Sequence, residues 1–153
     1  WSYSSEAENA VNQALKLRYQ LIPYIQTAMQ QANQTGMPLM RAMALAFPDD
    51  RLARGFEIQF MFGEDLLVVP CTQVGGEIEF YLPQGLWLRF PEQQVFTGGR
   101  VHKMTLSLDE MAVFVPAGHQ IPIGPDVLHT EQLEDPAIGH QVSHYWPAKG
   151  ALS

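Results

Sequence analysis

The sequence predicts an α+β chain in which one long helix is followed by an antiparallel β-sandwich. Three observations carry this. Apolar residues from Ser5 to about Gln34 recur at helical spacing. The texture then changes once, near residues 64–70. Beyond that point, short apolar or alternating runs recur about every ten residues between Pro/Gly turns, the rhythm of a sandwich.

Bulk properties set the outer limits. A chain of 153 residues suffices for one domain or two small ones. With 46% hydrophobic and 16% charged residues it has an ordinary globular composition of low charge density. A net charge of −7 argues against a nucleic-acid partner, which requires a basic face. No stretch approaches the ~20 apolar residues of a bilayer-spanning helix, so no membrane partner is expected. The single cysteine, Cys71, has no internal disulfide partner. The chain opens at Trp1 without a basic and apolar leader pattern. It reads as a fragment, a cleaved product or a shortened form, with the compartment open between cytosol and export.

The helix begins at an expected capping box, Ser5-x-x-Glu8, in which each side chain satisfies an orphan amide. Val11, Leu15, Ile22, Ile25 and Met29 form one apolar stripe. Ala14, Leu17, Leu21, Tyr24, Ala28 and Ala32 form a second beside it. So wide an apolar surface suits a helix wedged between two bodies. Pro23 removes one helix hydrogen bond and clashes one turn back, which predicts a kink over 19–23. Gly36 and Pro38 then stop the helix.

Leu39 to Phe47 is apolar except at Arg41 and ends at Pro48-Asp49-Asp50, which predicts a strand buried on both faces, as in a parallel sheet. Leu52 to Phe62 reads as a short helix, and Leu66 to Val69 as a strand closed by Pro70. Further strands are expected over 77–82, 86–90, 101–108, 111–115 and 120–123, with Thr97-Gly98-Gly99 as a loop. From Asp126 to Ser153 the pattern weakens, and a loosely ordered extension or the start of another domain is expected.

Six blocks stand in order along the chain: Leu17-Arg18-Tyr19-x-Leu21-x-Pro23-Tyr24, Gly36-x-Pro38-x-Met40-Arg41-Ala42, Phe47-Pro48-Asp49-Asp50, Gln59-Phe60-Met61-Phe62-Gly63-Glu64-x-Leu66-Leu67-Val68-Val69-Pro70, Tyr81-Leu82-Pro83-x-Gly85-x-Trp87, and Val113-Phe114-Val115-x-x-Gly118-x-x-Ile121-Pro122. In their order and spacing they resemble glycoside hydrolase family 31. Met40-Arg41-Ala42-Met43 is similar to the α-xylosidase-like members. Glu64-Asp65, Cys71 and Met111-Ala112 depart from the family's commoner residues.

The resemblance implies a long helix and last strand of a (β/α)8 barrel over 1–63, a proximal C-terminal β-sandwich over 64–125, and an extension over 126–153. It implies a parent enzyme that cleaves α-glucosides or α-xylosides with retention, using two carboxyl groups ~5 Å apart. In the family these aspartates lie in motifs of the kind Trp-x-Asp-Met-Asn and Asp-Ile-Gly-Gly, and neither occurs here. The partner implied is a carbohydrate substrate of the parent.

Asp49 and Asp50 follow an expected strand, where barrel enzymes place catalytic groups, but adjacent side chains in a Pro-Asp-Asp turn diverge. Glu64 and Asp65 are expected to be solvated loop carboxylates. Arg41 is expected to be a structural guanidinium paired with Asp49, Asp50 or Glu57. His140 and His144 have the spacing of two metal ligands on one helix face, but Gly139 opposes a helix and no Cys or Asp cluster joins them. Cys71 is expected to be a buried or half-buried thiol. Trp87 and Tyr81 could form a sugar-stacking platform, yet strand aromatics are more often core. No catalytic, substrate-binding, cofactor-binding or metal-ligating residue is assigned, and no cofactor is expected. A non-catalytic enzyme segment is the first reading. The alternative is a module that binds carbohydrate or forms a homo-oligomer.

Overall fold

The computed structural model describes residues 4–73, 75–107, 110–125 and 141–144. Two helices come first, α1 (Ser5–Gln20) and α2 (Ile22–Thr35), broken at Leu21 with Pro23 in the first turn of α2. The expected kink is thus a break. The cap lies one residue earlier than the capping box requires: Ser4 precedes the helix, and its hydroxyl accepts from the Ala7 amide at 3.3 Å. Gly36 closes α2 at φ 74° and donates to the Ala32 carbonyl.

The apolar run from Leu39 to Phe47 is not a parallel strand. It forms a three-residue antiparallel strand β1 (Met40–Ala42), in which only Arg41 is buried, and then a helical turn α3 (Met43–Ala46). Short apolar runs fit either state, and here tertiary packing splits one between both. The helix expected over 52–62 shrinks to a 3-10 turn (Ala53–Gly55), followed by strand β2 (Phe60–Phe62). The expected strands appear as β3 (Leu66–Val69), β4 (Glu77–Leu82), β5 (Leu86–Phe90), β7 (Arg100–Thr105), β8 (Ala112–Pro116) and β9 (Gln120–Ile123). Two are additional, β6 (Val95–Thr97) and β10 (Gln141–His144). The rest of 126–153 lies outside the described residues, as does His140.

Six strands build one antiparallel sheet in the order β1-β2-β3-β8-β5-β6. The boundary expected at 63–64 falls at a turn inside this sheet. Strands β4 and β7 pair with each other, and β9 pairs with β10.

The central sheet is covered on both sides. On one face Leu67, Val69, Trp87 and Phe114 pack against Ile78, Phe80 and Leu82 of β4. The Phe80 and Phe114 rings stack at 4.7 Å. On the other face Leu66, Leu88, Phe90, Val113 and Val115 meet Tyr24 and Ala28 of α2 and Ile121 of β9. Period-two alternation therefore sends successive apolar side chains into two different cores. This explains why β3, β5 and β8 read as continuous apolar runs although every pairing is antiparallel.

Candidate functional site

The turn joining β2 to β3, Gly63-Glu64-Asp65, is tethered from several sides. The Tyr24 hydroxyl donates to the Phe62 carbonyl at 2.7 Å and accepts from the Asp65 amide at 3.2 Å. The Gly63 amide donates to the Leu39 carbonyl at 2.8 Å. Gly63 has φ 66°, and a Cβ there would collide with the Tyr24 hydroxyl. The turn thus has the shape of the phenol pressed against it. Burial above all pushes the Tyr24 pKa well up from its ordinary value.

Two polar side-chain pairs flank this turn. Arg41 is buried in the middle of β1, where its Nε donates to the Pro38 carbonyl at 3.0 Å and its Nη1 meets Glu64 at 3.5 Å. The expected partners Asp49, Asp50 and Glu57 are thereby replaced by Glu64 of the β2–β3 turn. Asp65 lies 2.6 Å from Nδ1 of His119, in the turn between β8 and β9. Glu64 is thus an exposed turn carboxylate, as expected, and Asp65 a partly exposed one, and each also has a partner.

A second polar cluster joins the two layers of the sandwich. Asp50 caps the 3-10 turn, with Oδ1 accepting from the amides of Leu52 (3.0 Å) and Ala53 (3.2 Å). Its other oxygen accepts from the Tyr81 hydroxyl at 2.7 Å. Burial first, then the bond to Asp50 and its charge, pushes the Tyr81 pKa up to about 12. Gln59, 2% exposed, bonds both backbone groups of Tyr81. Both oxygens of Asp50 are thus engaged in structural bonds, while Asp49 is exposed beside it.

Arg89 is the second buried charge among the described residues. Its Nη2 bonds Glu110 at 3.1 Å, and its Nε lies 3.6 Å from Glu92 without a hydrogen bond. Glu110 also accepts from the Ser107 amide and hydroxyl at 2.8 and 2.9 Å. These two bonds, with Arg89 behind them, hold its pKa below the usual carboxylate value.

The remaining candidates resolve simply. Cys71 is exposed, not buried, with Sγ 3.7 Å from the Gln73 carbonyl. Trp87 and Tyr81 are core residues, and the Trp87 indole N–H donates to the Pro83 carbonyl at 2.8 Å. Glu57 is exposed. Residue 144 belongs to strand β10, and His140 lies outside the described residues. No cluster of three or more metal-capable side chains occurs among the described residues.

Sequence reasoning missed Gln59, Arg89 and His119 as anchor points. For the first two a signal was present: each is a lone polar residue at an inward position of an apolar run, which must find a partner when buried. Of the two helix stripes, the one containing Tyr24 and Ala28 packs on the sandwich, while Val11, Leu15 and Met29 of the other are about half exposed.

The family model described as glycosyl hydrolase family 31 C-terminal domain matches residues 36–121. Alpha-glucosidase 2 of Bacillus thermoamyloliquefaciens is 28% identical over 151 residues, which is 98% of this chain and 19% of that protein. An isomaltosyltransferase of Sporosarcina globispora is 36% identical over 129 residues, 84% of this chain and 12% of its own length. Among solved structures, the GH31 dextranase of Flavobacterium johnsoniae, complexed as a mutant with isomaltotriose, superposes with a TM-score of 0.88 at 30% identity. The match covers 97% of this chain and 18% of the dextranase chain. The chain therefore spans less than a fifth of the length of these relatives.

Proposed function

The chain belongs to glycosyl hydrolase family 31, and on that premise we propose that it is the C-terminal, non-catalytic part of a retaining glycosidase acting on α-glucosides or α-xylosides. The observation that carries the reading is the use of its carboxylates. Asp50, Glu64 and Asp65 each hold a turn or a strand through bonds to Tyr81, Arg41 and His119. This engagement supports structural roles for these three, apart from the two tasks of a retaining mechanism, attack on a sugar carbon and protonation of a leaving oxygen.

In this reading α1 and α2 are the last helices of a (β/α)8 barrel, and the six-stranded sheet with β4 and β7 is the sandwich that braces them. The barrel's share then ends with α2, because β1 and β2 hydrogen-bond into the same sheet as β3. The alternative of a carbohydrate-binding module loses its aromatic platform, since Trp87 and Tyr81 are buried.

The test is an assay of the purified 153-residue chain on chromogenic α-glucosides and α-xylosides. No turnover is expected from the chain, whereas the longer polypeptide carrying the barrel hydrolyses one of the two classes. Turnover that co-purifies with the 153-residue chain would overturn the reading.

A further inference from the structure

We draw no further inference here: the strongest candidate, the groove of about 460 Å³ between α1 and the central sheet, bordered by Leu17, Phe90, Pro91, Glu92, Met111 and Val113, carries nothing because nothing in the structure shows what fills or covers it.

Discussion

Gln59 and Tyr81 face each other as if they were neighbours in a β-ladder. The Gln59 Nε2 donates to the Tyr81 carbonyl at 2.7 Å, and the Tyr81 amide donates to Gln59 Oε1 at 2.8 Å. The side-chain amide thus satisfies the backbone of one sheet from a residue that leads into the other. Both groups are buried, so neither can turn to water if its partner is lost.

Gln59→Leu removes that pairing without leaving a large hole. It strands one N–H and one C=O, and the expected loss is about 2–5 kcal/mol of unfolding free energy. Urea denaturation of wild type and variant measures it. A loss below about 1 kcal/mol would mean that β4 finds other partners.

Gly63→Ala should be far worse than Gly36→Ala, although both residues have positive φ. At Gly36 a Cβ meets nothing within 4 Å, so only the backbone penalty of about 1–2 kcal/mol applies. At Gly63 it also collides with the Tyr24 hydroxyl, which is held by two hydrogen bonds. Tyr24→Phe alone should cost about 1–2 kcal/mol. Combined with Gly63→Ala it should cost less than the sum, because the colliding atom is gone. Strict additivity in thermal melts would contradict the clash.

Alkaline titration should find Tyr81. Its pKa rises from 10.0 unfolded to about 12 folded. A raised folded pKa contributes stability that is complete below pH 10 and is lost as pH climbs through about 12. Tyr81→Phe should flatten that part of the stability–pH curve while lowering the neutral plateau. An unchanged slope between pH 10 and 12 in the variant would assign the loss to another group.

Acid should find Glu110. Its folded pKa lies below the ordinary value of 4.5, chiefly through the Ser107 amide and hydroxyl and then Arg89. The stabilisation is therefore present above pH 4.5 and fades as pH falls through the lower folded value. Glu110→Gln should reduce the acid-side slope and leave Arg89 with Glu92 as its charged neighbour. The measurement is unfolding midpoint against pH from 2 to 7, at low salt, since Glu110 is partly exposed and screening is strong there.

The parts of the fold legible in the sequence were those with local punctuation. Pro23 marked the break at Leu21, Gly36 the end of α2, and Pro70, Pro83-Gln84-Gly85 and Pro116-Ala117-Gly118 the strand ends. The stretch from Leu39 to Phe47 was misread because its apolar run reflects two short elements packed in sequence, and periodicity cannot separate them over so few residues. Strand β6 escaped because Val95-Phe96-Thr97 is short and sits at a sheet edge. The side-chain pairs Arg41–Glu64 and Asp65–His119 span 23 and 54 residues, and nothing local encodes such a meeting.

The placement of β8 has a consequence for synthesis on the ribosome. Strands β1, β2 and β3 can zip up as they emerge, and so can the β5–β6 hairpin. The two half-sheets have no hydrogen bonds to each other until residues 112–116 arrive and slot between β3 and β5. The nascent chain therefore carries two apolar half-sheets with naked borders from the emergence of β6 until β8 follows it, which is the interval when chaperones matter most to it.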